Sequence, residues 1–283
     1  MTDGPHLELK LWYDHISHRL KWARPEDIPR VDLFGERHVM AETNRRIGPV
    51  AARTDSVTYD AGLRSFMLSV YNYMAIGVGL TGLAAYGLYA YAATNDAVFQ
   101  AVFHGPLAIV ILLAPLLYGL YLIFRMQAMS VSAARNGFFI YAALVGFMLS
   151  SLFVAYTHQS IERVFFVTAA MFAATSLWGY TTKRDLTSFG SFLSMGLIGV
   201  VIAMVVNMFL QSTALQFALS IMGVFIFTGL TAYDTQKLKD VYVTYSSDGT
   251  ALAHSAVRGA LSLYLDFINL FLFMLRFMGD RRN

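Results

Sequence analysis

The stretch GALSLYLDFINLFLFMLRFM, residues 259–278, decides what kind of protein this chain becomes. It is about as long as an α-helix must be to cross the ~30 Å of hydrocarbon in a bilayer. Its side chains are apolar on nearly every face, and hydrocarbon accepts backbone only when each amide is paired within a helix or a closed barrel. One residue resists a lipid-facing reading. An ionised carboxylate at Asp266 would cost from a few to ~10 kcal/mol or more in a bilayer, so it must face a protein interior or a water-filled path.

Six further apolar runs precede it, at residues 66–92, 106–124, 138–156, 164–180, 189–210 and 214–233. Each approaches the ~20 residues of a spanning helix, and the links are short. The chain therefore reads as an all-α integral membrane protein, a seven-transmembrane-helix bundle over residues 66–279. The totals agree. Of 283 residues, 57% are hydrophobic and only 14% charged, with a mean hydropathy of +0.52, where a soluble domain carries about 25% charged residues. Residues 1–65 alone hold 10 of the 21 Lys and Arg and 10 of the 18 Asp and Glu. The net charge of +3 is then no argument for nucleic acid; the partner implied is the lipid bilayer. With no cysteine, a disulfide framework, a thiol nucleophile and thiolate metal sites are excluded.

Lys and Arg in short loops stay on the cytoplasmic side and orient the bundle. The loops after the first and fifth runs have none, and the third has only Arg163. The second has Arg125 and Arg135, the fourth Lys183 and Arg184, and the sixth Lys237, Lys239 and Arg258. This alternation places the N-terminus and loops two, four and six in the cytoplasm. Arg281 and Arg282 then fall outside, against the rule, if the last run spans fully rather than re-entering; a full span is the reading adopted. Residues 1–65 form a polar N-terminal region. Within it, residues 1–39 read as a dispensable extension, since Met40 would itself make a start; the alternative is a surface-lying amphipathic helix over residues 7–22. No short basic segment followed by an apolar run opens the chain, so no cleavable signal peptide is expected.

Several motifs carry no chemistry. GVGLTG at residues 77–82 spells a dinucleotide fingerprint, but it sits inside an apolar helix where no amide is free to hold a pyrophosphate. Small residues that admit a neighbouring helix explain it better. The seven histidines fall in tails or loops and form no helical metal pair. No G-x-S-x-G elbow is present, the last helix has no lysine for a Schiff base, and Pro115 is a kink site in the second run.

Three ionisable residues remain. Arg125 ends the second run, Asp234 ends the sixth in FTGLTAYDTQKLK, and Asp266 lies in the seventh. By the orientation above, all three fall in one layer near the cytoplasmic face, with Asp266 roughly 10 Å below it. The sixth and seventh helices are consecutive and antiparallel, which lets Asp234 and Asp266 meet. Two carboxylates in a low-dielectric site cannot both ionise cheaply, so the pair titrates as a unit. Protonated, it shares a hydrogen; deprotonated, it offers hard oxygens to Ca²⁺ or an anionic partner to Arg125. Asn269, one turn from Asp266, reads as an interhelical hydrogen bonder, and Arg276 belongs to the opposite surface.

The segments GLTAYDTQKLK and LSLYLDFINLFLFMLRFMG resemble the end of helix 6 and helix 7 of the Bax inhibitor family, and FFVTAAMFAATSLWGYTTKRDLTSFGSFLSMGLIGVVIAMVVNMFL is similar to its helices 4 and 5. The resemblance covers about residues 66–279. It implies a seven-helix fold with a central last helix and, for a bacterial-type member, a multi-pass protein of the inner membrane that leaks calcium in a pH-sensitive way. It assigns the pH sensor to Asp234 and Asp266, which would also hold calcium in passing, with Tyr233 and Asn269 as supporting polar groups and no tightly bound cofactor. It implies a latch from a basic residue of helix 2, where Arg125 competes with Arg135. Two other roles stay open. Some bacterial relatives are linked to a membrane-bound AAA protease, for which residues 1–65 offer a contact. Intramembrane aspartyl proteases share the Tyr233–Asp234 pair, but their second aspartate follows G-x-G and they carry P-A-L, both absent here.

Overall fold

The computed structural model describes the backbone of residues 36–282 and the side chains of residues 61–282. Residues Tyr59–Asn283 form one compact unit, to which the rest of this description applies. Among the described residues the regular structure is all helix, and seven helical segments are long and apolar enough to cross a membrane. They are Ala61–Ala92, Pro106–Ala128, Val131–Ala155, His158–Thr181, Thr187–Leu210, Thr213–Tyr245 and Gly249–Met278, called here the first to seventh spans. The surface helix at residues 7–22, three of the histidines (His6, His15 and His18) and the first 35 residues of the 1–39 extension lie outside the described residues.

The spans sort by what surrounds them. The second and fifth are the most apolar, with mean hydropathies of 2.6 and 2.4, and only 11% of the apolar 18-residue stretch of each is buried against protein. The seventh is less apolar, at 1.6, yet 56% buried. A helix facing lipid must be apolar all round, whereas a helix enclosed by others can carry polar groups that find partners. The seventh span is thus the central member. Its buried face includes Tyr264, Asp266, Leu270 and Leu275.

Hydropathy marks where a helix leaves lipid, not where it ends, and several boundaries differ for that reason. The sixth helix runs to Tyr245 rather than stopping at Tyr233, and the seventh begins at Gly249 rather than Gly259. No Gly or Pro interrupts residues 234–245, and Asp248 caps the next helix by accepting from the amides of Thr250 and Ala251 at 2.9 and 3.0 Å. Asp266 therefore lies deep in a long helix, not near its start. The fourth helix starts at His158, capped by Thr157, so Arg163 is helical rather than in a loop. His38, His158 and His254 are helical as well. The first span is already helical from Ala61 and passes through residues 65 and 66 without a break. Pro115 is buried in a helix that continues through it.

Two close approaches fix the sixth span in place. A Cβ on Gly179 would strike the Ala232 carbonyl, so the fourth and sixth spans meet backbone to backbone there. A Cβ on Gly190 would strike the Tyr233 ring, which fills that notch on the fifth span. In GVGLTG, Gly77 faces Phe138, whereas Gly79 and Gly82 have nothing near them. Helix approach thus explains one of its three glycines.

The outer end of the seventh span is tied down by the residues that follow it. Arg281 pairs antiparallel with Tyr156. The amides of Arg282 and Thr157 donate to the carbonyls of Ala155 and Asp280 at 3.0 and 3.2 Å. The Asp280 amide donates to Ser160 Oγ at 2.8 Å, and its carboxylate meets Arg163 at 2.8 Å. Arg282 also reaches the Tyr89 hydroxyl at 3.2 Å.

Candidate functional site

The helix that carries Asp234 is held from three sides. On one side, Ser262 of the seventh span donates its hydroxyl to Asp234 Oδ2. On another, Thr235 is fully buried and hydrogen-bonds Ser176 at 2.9 Å, and Ser176 in turn bonds the Tyr71 hydroxyl. This hydroxyl chain joins the first, fourth and sixth spans. On the third, Gln236 binds the loop between the fourth and fifth spans, accepting from the Leu186 amide at 2.8 Å and donating to the Arg184 carbonyl at 2.7 Å. Lys239 adds a bond to the Tyr180 carbonyl at 2.9 Å, at the end of the fourth helix, where a cation complements the exposed carbonyls. In that loop Asp185 accepts from the Thr187 amide at 2.8 Å, and these hydrogen bonds from Thr187 hold its carboxyl below the usual range.

Asp234 itself is half-buried. It lines a cavity of about 310 Å³ between the sixth and seventh helices, whose other walls combine Lys237, Ser255, Arg258 and Ser262 with Leu238, Val241 and Tyr245. Lys237 lies close enough for its charge to act on Asp234, and its Nζ stands 5.8 Å from the Tyr233 ring centroid. One turn beyond Ser262, Asp266 is 6% exposed, and its Oδ2 has no hydrogen-bond partner among the described residues. Ser262, whose hydroxyl Asp234 accepts, precedes Asp266 by one turn of the seventh helix. The arrangement is a pair of carboxylates, one open to a cavity and bonded to Ser262, the other enclosed one turn further along the same helix as that serine.

The remaining candidates are placed differently. Arg125 is exposed and Arg135 half-buried, and neither bonds to either aspartate among the described residues. The cations at the cavity are Lys237 and Arg258, which sequence reasoning used only for orientation. Their spacing was the available signal, since Lys237 is one helical turn past Asp234 and Arg258 one turn before Ser262. Asn269 donates to the Leu265 carbonyl of its own helix at 2.8 Å instead of bridging to a neighbour. An amide in low dielectric takes the nearest free acceptor, which is one turn back. Tyr233 contributes by packing into the Gly190 notch and standing under Lys237. Arg276 lies at the opposite end of the helix and reaches Met204.

Sequence reasoning did not find Thr81. Its buried hydroxyl lies 3.0 Å from the Gly77 carbonyl, 2.8 Å from that of Ala142 and 2.7 Å from the Tyr264 hydroxyl. It ties the first, third and seventh spans at mid-height. Among the described residues, no three His, Asp or Glu side chains converge as a metal would need. Two carboxylates fall short of the six to eight oxygens of a retained Ca²⁺.

Comparison with known proteins places these residues within one family. The family model described as Inhibitor of apoptosis-promoting Bax1 matches residues 63–283, which takes in every site residue above. The inner membrane protein YbhL of Escherichia coli strain K12 is 45% identical over 233 residues, covering 81% of this chain and 98% of its own length. A Caulobacter vibrioides protein is 45% identical over 239 residues, 82% of this chain and 94% of its own. The Rickettsia prowazekii protein RP147 is 45% identical over 226 residues, 80% and 94% of the two chains.

Proposed function

Taking as premise that this chain belongs to the Bax inhibitor family, we propose that it is a proton-sensitive cation leak of a bacterial inner membrane. Calcium is among the permeant ions, and Asp234 and Asp266 form the gate. The location rests on the similar inner membrane protein of Escherichia coli and on seven segments able to span a bilayer. The observation that carries the gate is the enclosed Asp266. A carboxylate in that position, with one oxygen unpartnered and Asp234 bonded to Ser262 one turn away, is costly to keep charged unless a cation or a proton joins it. A passing cation and a proton therefore compete for the same oxygens.

The closed form follows from the ties on Asp234. When ionised, it accepts from Ser262 across the helix pair and attracts Lys237. Protonation removes the charge that both groups address, so the sixth and seventh helices part at their cytoplasmic ends and flux rises as pH falls. Because Arg125 bonds to neither carboxylate, the latch in this reading is Ser262 with Lys237.

The test is Ca²⁺ flux into proteoliposomes as a function of pH. Wild type should leak more at low pH, and Asp234→Asn/Asp266→Asn should leak at a rate flat with pH, because neither amide titrates. A double variant that keeps the wild-type profile ends this reading. Arg125→Gln should leave the profile in place; a loss of pH dependence would return the latch to that residue.

A further inference from the structure

A second feature of the cytoplasmic half lies outside the carboxylate pair and meets the helix of Asp234 through the Tyr71, Ser176 and Thr235 hydroxyls. Between the first and fourth spans runs a groove of about 470 Å³. Its walls are Met67, Leu68, Phe172, Ala173 and Leu177, and Leu68 and Leu177 are 52% and 65% exposed, so the groove opens sideways rather than into the bundle. Arg64 stands at its cytoplasmic rim and, among the described residues, is the one charged side chain that lines it. Arg64 is exposed and has no hydrogen bond or ion pair among the described residues. Tyr180 shares the rim, with Lys239 bound to its carbonyl and 5.8 Å from its ring centroid, so a second cation raises the potential there. The floor, about 10 Å deeper along the helix at 1.5 Å per residue, carries the Tyr71 and Ser176 hydroxyls.

We propose that this groove is a binding site for one anionic phospholipid of the cytoplasmic leaflet, with its phosphate at Arg64 and an acyl chain along Met67, Leu68, Phe172 and Leu177. Three features select that occupant. The groove opens between membrane-spanning helices, where lipid is the surrounding medium. An uncompensated guanidinium at headgroup depth matches a phosphate, which it can grip with two parallel hydrogen bonds. Among the described residues, no acidic side chain lines the groove to repel one. A zwitterionic lipid satisfies the apolar wall equally but brings its own cation to Arg64, so the net charge of the headgroup sets the preference. The occupant also rests on Tyr71 and Ser176, whose hydroxyl chain ends at Thr235, next to Asp234. The binding proposal stands whether or not the protein conducts ions.

Native mass spectrometry of the full chain decides it. Protein exchanged into an equimolar mixture of phosphatidylglycerol and phosphatidylcholine with identical acyl chains should retain one phosphatidylglycerol in preference. Arg64→Gln should lower that preference about fivefold, as loss of one interfacial cation does. Ala173→Trp, which fills the groove, should lower retention of both lipids. Arg125→Gln, which removes an exposed cation from the same side, should change nothing. Equal retention of the two lipids by wild type, an unchanged ratio in Arg64→Gln, or an equal loss in Arg125→Gln would overturn the site. Arg64 is exposed and unbonded, so its variant folds even where the tryptophan does not.

Discussion

The two ends of the seventh span are built on opposite plans. At the outer end the helix stops at Gly279, and the next three residues are tied to the third and fourth spans by backbone pairs and to the first by Arg282. Inward from there the helix carries Asp266, deep within it and with an unpartnered oxygen, reaches a cavity of about 310 Å³ and continues past the apolar run. Backbone hydrogen bonds tie position without responding to pH, whereas a carboxylate pair responds to pH and ties position only while charged. In the gate proposed above, an outer anchor and a titratable pair further in make a lever, whose moving part is where the carboxylates are. Both halves of that contrast can be broken separately.

The largest effect falls on the fixed wall beside the moving part. Gly179 lets the fourth span touch the sixth backbone to backbone. In Gly179→Val the new methyl groups meet a carbonyl that cannot rotate away, and overpacking of this kind costs ~1–3 kcal/mol or more. The variant should lose most of its folded yield in detergent, measured by size-exclusion chromatography and thermal unfolding. Normal yield would mean that the sixth span is free to shift as a whole, and the lever would lack its fulcrum.

Next in size is the anchor. Ending the chain after Met278 removes the pairing at Tyr156, the bonds of Asp280 and the contacts of Arg282. At ~0.5–1.5 kcal/mol for each net hydrogen bond, a loss of about 2 kcal/mol is expected, read as a lower unfolding midpoint. Hydrogen exchange should quicken at residues 270–278 and stay unchanged around Asp266. The pH profile of flux should keep its shape. Exchange spreading to Asp266 would show that the two ends are coupled and the contrast is only one of sequence.

The sequence makes some of this plain and hides the rest for identifiable reasons. Seven apolar runs reveal seven spans because lipid acts on every residue of a spanning helix alike. Loop charges place Asp234 and Asp266 near one face because they report depth. Rotation about the helix axis is another matter. A run such as PLAIVILLAPLLYGLYLIF is apolar on all sides, so nothing in it shows whether Arg125, at its end, turns inward; the structure has it exposed. The same ambiguity hides the meeting of Tyr71, Ser176 and Thr235, three common residues on helices far apart in the chain. Asn269 misleads because low dielectric rewards any acceptor, and its own helix supplies one. The outer anchor is invisible because its bonds are mostly main chain, which any residues supply.

A smaller change probes the inner end. Ser262→Ala removes the hydroxyl that Asp234 accepts. The loss costs about 1 kcal/mol of stability, since a hydrogen bond to a charged acceptor is worth somewhat more in full burial and Asp234 is half-buried. The sign for flux follows from which form the bond favours. The hydroxyl donates to the ionised carboxylate, so its removal makes proton uptake easier, and the rise in flux should begin at a higher pH than in wild type. A profile that does not move would remove Ser262 from the latch while leaving the carboxylate pair in place.

The smallest effect separates charge from backbone at the anchor. Arg163 and Asp280 form an ion pair at 2.8 Å, but their side chains are 55% and 63% exposed. Water screens such a pair, and ordering two side chains offsets much of what remains, so exposed pairs contribute ~0.2–1 kcal/mol. Arg163→Gln should therefore lower the unfolding midpoint far less than truncation after Met278 does, and the small difference should shrink further as salt is raised. The main-chain bonds of Thr157, Asp280 and Arg282 survive the substitution, so hydrogen exchange at residues 270–278 should match wild type. If Arg163→Gln instead loosens that segment as much as truncation does, the outer end is held by charge as the inner end is. The lever would then have two titratable ends and no fixed anchor.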